Sequence, residues 1–219
     1  PRFAATPVKG GTEPRRTVPF APGEYYHVYN RGNNRQRIFF ERENYLFFLR
    51  RLRERLVGDE PPAGVPNSEP PGFPQSSTIV AYCLMPNHYH LLVSPKDDHF
   101  SRHMQSFSIS YTKAMNKRYE RVGALFQGKF QALHVDRTAH LLHLSRYTYL
   151  NPVEAGLVKK AQDWEFSSYR EYAGLRQGAL PRPEVVLSQF PTRSAYRHFV
   201  ESYEPGDQSI ISHLLFDAG

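Results

Sequence analysis

Apolar residues recur with two different periods along the chain. A helical period, with apolar residues three or four positions apart, predicts amphipathic helices over residues 41–57, 99–120 and 137–150. The last helix is expected to end at Asn151-Pro152, because a residue that precedes proline disfavours helical backbone. Runs of strand-forming residues predict three strands and an extended segment that contains a glycine, over residues 25–30, 78–84, 88–93 and 125–135.

The resulting order is strand, helix, strand, strand, helix, strand, helix. It is typical of an α+β domain whose antiparallel sheet carries helices on one face. The second and third strands are separated only by Met85-Pro86-Asn87, a turn of hairpin length, so we expect them to pair antiparallel. We therefore predict a ferredoxin-like, or RRM-like, sheet followed by a short C-terminal helical extension, in which residues 194–203 form a helix.

Three segments lie outside this pattern. Residues 1–22 mix Pro, Gly and Arg without periodicity and are predicted to be a flexible basic arm. Residues 58–77 are Pro-rich and are interpreted as a flexible insertion, since strands follow at once. The domain itself is expected to span residues 23–175, and residues 176–219 would be the extension, of unassigned purpose.

Composition limits the function classes. The 219 residues include 28 Lys and Arg against 21 Asp and Glu, a net charge of +7, and the basic residues are mostly Arg, which suits phosphate contacts. An anionic partner is plausible, and so is a surface tuned only for solubility. The single cysteine, Cys83, excludes a disulfide framework within the chain and a Cys-rich zinc site, which fits a cytoplasmic protein. No apolar run approaches the roughly 20 residues of a membrane helix.

His88 and His90 form the first candidate site. Side chains alternate along a strand, so both imidazoles should lie on one face, where they could bind one cation. Two unrelated surface histidines would give the same sequence. A metal site also needs a third ligand.

The helix before Pro152 supplies further candidates. His140, His143, Tyr147 and Asn151 share one helical face, whereas Tyr149 points about 200° away from Tyr147 and should be buried. We expect the Tyr147 side chain to be displayed, that is, exposed on the surface of the helix. An ordinary amphipathic helix explains the same spacing, and Asn151 could simply be an N-cap that precedes Pro152 at the first helical position.

Several phrases of the sequence, taken in order, resemble the REP-associated tyrosine transposases, a branch of the single-tyrosine HUH transposases. The resemblance extends over about residues 24–173 and rests on five phrases, which are YHVYNRGN from Tyr26, MPNHYHLLV from Met85, LFQGKF from Leu125, YTYLNPV from Tyr147 and DWEFSSY from Asp163.

The resemblance implies roles for four residues. His88 and His90 would be the histidine pair that binds a divalent metal, Mn²⁺ or Mg²⁺. Tyr147 would be the nucleophile. Asn151, one turn later, would be the third metal ligand, at a position where related transposases use Gln. His140 and His143 are not part of the family pattern.

The implied activity is cleavage and rejoining of single-stranded DNA beside a hairpin, the repetitive extragenic palindrome, through a 5′-phosphotyrosine intermediate. No nucleotide cofactor would be required, and the sequence has no Walker-type phosphate loop. Expected DNA contacts are the basic residues that follow the first strand and one beside the internal glycine, namely Arg31, Arg35, Arg37 and Lys129. The protein would be nucleoid-associated, as a monomer or homodimer.

Two other functions are compatible with the same residues. A regulator with this fold could bind hairpin or single-stranded DNA without cutting it. A metal hydrolase could use His88 and His90 to activate water, in which case Tyr147 would be incidental.

Overall fold

A four-stranded antiparallel sheet forms the centre of the computed structural model, which describes residues 19–58 and 76–215. The strand order is β2-β3-β1-β4. The strands are β1 (Tyr25–Arg31), β2 (Ser77–Met85), β3 (His88–Pro95) and β4 (Gln131–Val135). The predicted α+β, ferredoxin-like class is confirmed, as is the hairpin between β2 and β3.

Six helices accompany the sheet in the described part of the chain. They are α1 (Arg42–Leu52, continued by a π turn over Arg53–Val57), α2 (Phe100–Arg118), α3 (Thr138–Glu154), α4 (Tyr169–Tyr172), α5 (Glu184–Leu187) and α6 (Arg193–Glu201). Three 3₁₀ segments cover Asn33–Arg35, Ala161–Asp163 and Pro205–Leu214. No described helix is both long enough and apolar enough to cross a lipid bilayer.

One sheet face packs against α1 and α2. Helix α1 begins after Glu41, whose side chain and that of Asn44 form a reciprocal capping box. The apolar side of α1 faces the sheet. Phe48 is fully buried there, and its ring contacts those of Tyr89 and Phe107 at centroid distances of 5.1 and 4.7 Å. These contacts form an aromatic core.

The other sheet face is covered by α3 and by the segments after it, so helices lie on both faces of the sheet and not on one face as predicted. Leu92 from the sheet packs there with Leu144 of α3 and with Tyr196 and Val200 of α6. His27 and His90 lie on this face, since they alternate with Val28 and Leu91 of the first core. The C-terminal elements therefore complete a second core against α3.

Two element boundaries differ from the sequence predictions by more than two residues. Helix α3 does not end at Asn151-Pro152 but continues to Glu154 with Pro152 inside it. Proline cannot donate to the carbonyl one turn earlier, but Asn151 and Pro152 are both buried, so packing outweighs the local preference. Asn151 is consequently not an N-cap.

The extended segment predicted over residues 125–135 is a strand only over Gln131–Val135. Phe126 makes an isolated bridge to Gly32, and Lys129 lies in the connection before β4 rather than on a strand. Most of the predicted arm and insertion, residues 1–18 and 59–75, falls outside the described residues.

Replacing Phe48 by Ala should lower the free energy of unfolding by about 3–5 kcal/mol, because it leaves a cavity among four aromatic rings. Leu46→Ala on the same helix is the matched control. Leu46 is 43% exposed, and its loss should change stability by only about 0.5 kcal/mol. Urea denaturation measures both, and equal losses would contradict this assignment of the core.

Candidate active site

The predicted histidine pair lies on the sheet face that α3 covers. His88 and His90 stand two positions apart on β3, and their ring centroids are 5.0 Å apart with perpendicular planes. Both are buried, with 8% and 0% of their surface exposed. The common face expected from strand alternation is therefore present, but the pair is not a feature of the open surface.

A third histidine holds His90 in place. The Nε2 atom of His27 is 2.9 Å from Nδ1 of His90, and Nδ1 of His27 is 2.7 Å from the backbone oxygen of Leu214. His27 and His90 come from neighbouring strands and stack with ring centroids 5.2 Å apart. The result is a chain of hydrogen bonds from the C-terminal 3₁₀ segment through β1 to β3.

This series of hydrogen bonds determines which ring nitrogen of each histidine carries the proton. A carbonyl oxygen only accepts, so Nδ1 of His27 donates to Leu214. Burial lowers the pKa of His27 to about 4, so the ring is neutral at pH 7 and its Nε2 accepts. Nδ1 of His90 must then donate to it. The lone pair of His90 is left on Nε2.

His88 reaches the same protonation pattern through a different neighbour. Its Nδ1 lies 2.7 Å from the side-chain oxygen of Asn87, which is an acceptor, so Nδ1 carries the proton. Burial, helped by the positive charge of Arg31, lowers the pKa of His88 to about 4. Burial also lowers the pKa of His90 well below its usual value, with His88 and His27 adding to the effect. Both imidazoles are neutral at pH 7.

These two rings fit a divalent cation. Metal-binding histidines usually donate one ring N–H to a fixed acceptor, which orients the other nitrogen as the ligand. His88 and His90 both have this arrangement, and both Nε2 atoms are buried. Neutral imidazole is a ligand for Zn²⁺, Mn²⁺ and related ions.

Tyr147 lies beside the pair. Its ring is 5.9 Å from that of His90, edge to face, so α3 brings the tyrosine to the same side of the sheet as the histidines. The prediction that Tyr147 is displayed is wrong, because only 7% of its surface is exposed. Burial raises the pKa of Tyr147 to about 12, with a smaller contribution from the negative charge of Glu154. Its phenolate is therefore scarce at neutral pH.

The other polar residues of α3 divide between this site and a separate region. Asn151 donates from Nδ2 to the backbone oxygen of Tyr147 at 2.8 Å, so any ligand role would fall to its Oδ1 atom. Tyr149 points away as predicted, fully buried, with its hydroxyl 2.9 Å from Ser168. His140 and His143 lie elsewhere, the first against Asp136 and the second against Arg146.

Basic residues surround the end of the sheet where His88 lies. The loop after β1 is bound to the β2–β3 turn, because Gly32 and Ile38 donate their backbone N–H groups to the oxygens of Asn87 and Pro86. A Cβ atom at Gly32 would lie only 1.9 Å from the oxygen of Gln36, so this loop requires glycine. The loop thereby carries Arg35 and Arg37, both exposed, to this edge.

The remaining two predicted DNA contacts lie close by. Arg31 is paired with His88 across the sheet and contacts Gln127. Lys129 is exposed and follows Gly128, whose oxygen accepts a hydrogen bond from Asn30. We call Arg31, Arg35, Arg37 and Lys129 the basic rim.

Sequence reasoning gave His27 no role, although this residue lies in the first phrase that carries the family resemblance. Its position on the same face as His90 follows from strand alternation only once β1 is known to pair with β3. Its second partner, Leu214, is 187 residues away. No local pattern could have revealed that contact.

Comparison with known proteins supports the family resemblance. Residues 75–149 match the family described as "Transposase IS200 like". This range contains His88, His90 and Tyr147 and ends two residues before Asn151. The resemblance stated from the sequence is thus confirmed.

Two curated relatives point to the same group. The chain is 29% identical over 93 residues to the REP-associated tyrosine transposase of Escherichia coli K12. The aligned residues make up 42% of this chain and 53% of that protein. It is 27% identical over 101 residues to a Haemophilus influenzae protein assigned to the same group, covering 41% and 57%. The chain spans little more than half the length of these relatives.

A solved structure shares the fold. It is described as a REP-associated tyrosine transposase bound to a REP hairpin, and the TM-score is 0.55 over 78% of this chain and 97% of that one. Only 18% of the aligned residues are identical, so this match concerns the fold alone.

His27 should make stability depend on pH in metal-free buffer. It faces His90, Tyr29 and the Leu214 oxygen, and its pKa is about 4 in the folded protein against 6.5 for the ordinary group. The unfolded state then binds the proton more readily, so stability is full above pH 6.5 and falls as the pH drops toward 4. The His27 contribution to this loss is about 2 kcal/mol between pH 7 and pH 5.

His27→Gln tests this, because the Gln amide can donate to Leu214 and accept from His90 but does not titrate. Urea denaturation measures the free energy of unfolding at pH 7 and pH 5. Between these pH values the variant should lose about 2 kcal/mol less stability than the wild-type protein. An identical loss in both proteins would contradict the assignment.

Proposed function

We propose that this protein cleaves and rejoins single-stranded DNA next to a hairpin through a covalent 5′-phosphotyrosine, with Tyr147 as the nucleophile. The observation that carries the proposal is the contact between Tyr147 and His90, which brings a tyrosine from α3 against a buried pair of neutral imidazoles on β3. A metal hydrolase needs no tyrosine at that position. The family resemblance over residues 75–149 supports the same activity.

The proposed chemistry is an in-line displacement at phosphorus. The phenol oxygen of Tyr147 attacks a backbone phosphate, the bond from phosphorus to the 3′ oxygen breaks, and the phenol proton is lost while the leaving 3′ oxygen gains one. The product is an ester between Tyr147 and the 5′ phosphate. A second 3′-hydroxyl reverses the step and joins a new strand without a nucleotide cofactor.

The protein's own groups set the conditions for this step. The pKa of about 12 makes the neutral phenol the resting form, so attack requires the developing negative charge to be stabilised. Since only 7% of the Tyr147 surface is exposed, most of the ring is covered by protein. The fixed tautomers of His88 and His90 spare the site a reorganisation of protons during the reaction.

His88 and His90 would hold the divalent metal through Nε2, with Asn151 Oδ1 as the third ligand. A bound Mn²⁺ or Mg²⁺ would polarise the phosphate and offset its charge. Asn151 supports this role by position, one helical turn after Tyr147, and its Nδ2 contact with the Tyr147 backbone restricts the direction of the amide.

The basic rim would bind the DNA backbone. Its four residues lie at the end of the sheet next to His88, and a DNA strand that enters the site from this end would pass them. Contacts of Arg and Lys with phosphates supply affinity and position rather than sequence selection. A hairpin is the proposed DNA partner because the fold matches a protein whose solved structure is bound to one.

Tyr147→Phe should abolish the covalent protein–DNA adduct and preserve DNA binding, since only the attacking hydroxyl is removed. Tyr149→Phe is the matched control on the same helix. It loses a hydrogen bond to Ser168, worth about 1 kcal/mol of stability, and should still form the adduct. Labelled hairpin oligonucleotides with Mn²⁺, followed by denaturing electrophoresis, measure both.

The alternatives predict different results. A non-catalytic regulator would give no adduct even with the wild-type protein. A metal hydrolase would retain cleavage in the Tyr147→Phe variant, which would disprove the nucleophile.

Replacing Arg35 and Arg37 together by Ala should weaken binding of single-stranded DNA and flatten its dependence on salt. Each lost phosphate contact reduces the slope of log affinity against log salt by about 0.7, so the pair should reduce it by about 1.4. The control is Arg50→Ala with Lys113→Ala, which removes the same charge from exposed positions on α1 and α2, across the sheet from the site. Equal slopes for the two double variants would exclude the basic rim as the DNA contact.

A further inference from the structure

Three metal-ligating side chains meet at a second place, outside the proposed active site. The ligand atoms of Asp136, His140 and His213 lie within 4.8 Å of one another. They come from three parts of the chain, namely the connection between β4 and α3, the first turns of α3, and the C-terminal 3₁₀ segment. From this cluster we infer a binding site for a transition-metal ion such as Zn²⁺, separate from the histidine pair on β3.

The donor set fits such an ion. Two imidazoles and one carboxylate are common ligands of Zn²⁺, with the remaining positions taken by water. Nδ1 of His140 and Oδ1 of Asp136 are 2.8 Å apart and share a hydrogen bond, whose proton the metal would displace. The rings of His140 and His213 are 4.9 Å apart. Ligand atoms on a tetrahedral zinc ion lie about 3.4 Å apart, so atoms that are separated by up to 4.8 Å here must move together by as much as about 1.4 Å when the ion binds.

The backbone that carries His213 is anchored independently of any ion. Asp207, in the same 3₁₀ segment, pairs with the buried Arg146 of α3 at 2.7 Å. Ile211 and Leu214 are 1% and 2% exposed in the second core, and Leu214 also accepts the hydrogen bond of His27. The fold therefore already holds the backbone of His213 in place, which reduces the entropy cost of binding an ion.

The site is distinct from the proposed active site. His140 precedes Tyr147 by seven residues, which is about 10 Å along α3. Asp136 follows β4, and β1 lies between β4 and the histidine pair on β3. Asp136 and His213 are exposed, so an ion can enter from solvent without DNA or the proposed chemistry.

Co²⁺, a visible-absorbing probe for zinc sites, tests the inference on the metal-stripped full chain. The double variant His88→Ala with His90→Ala removes the other histidine pair and should still bind one Co²⁺. Adding His213→Ala should weaken that binding by at least the roughly 10- to 100-fold that loss of an outer-shell partner costs. Adding His198→Ala instead, at an exposed histidine of α6, should leave the affinity unchanged.

Two results would overturn the inference. One is no Co²⁺ absorption by the folded double variant at millimolar metal, and the other is equal weakening by His213→Ala and His198→Ala. If the double variant does not fold, the test uses the wild-type chain. The single substitution His213→Ala must then lower the number of Co²⁺ ions bound per chain by one. These measurements use no DNA, so they remain informative if the proposed strand cleavage fails.

Discussion

The hydrogen-bond chain from Leu214 through His27 to His90 is the constraint on which the site depends. A backbone oxygen at one end permits only one arrangement of protons along the two rings, and it leaves the lone pair of His90 on Nε2. Asn87 imposes the same result on His88. Two neutral imidazoles with matching tautomers are thus built into β3 by neighbours that are not ligands themselves.

This arrangement makes the C-terminal segment part of the site. Leu214 belongs to a 3₁₀ segment that packs on α3, and α3 carries Tyr147. The same helix therefore positions the proposed nucleophile and supports the segment that orients a histidine beside it. Burial of Tyr147 has a chemical consequence as well, since it raises the pKa of the phenol that is proposed to attack.

Local periodicity in the sequence was sufficient to predict much of the fold and part of the candidate site. Alternation along β3 placed His88 and His90 on one face, and the helical period separated Tyr147 from the buried Tyr149. Properties that arise from distant contacts were not predicted. The burial of Tyr147 and the passage of α3 through Pro152 depend on how α3 packs, and the pairing of His213 with His140 joins residues far apart in the chain.

The most direct test of this account is the tautomeric state of the three histidines in the metal-free protein at pH 7. Two-bond ¹H–¹⁵N correlation spectra distinguish a proton on Nδ1 from one on Nε2. We predict that His27, His88 and His90 are all neutral with the proton on Nδ1. A proton on Nε2 of His88 or His90 would mean that these rings do not present their lone pairs as a metal site requires, and it would contradict the account.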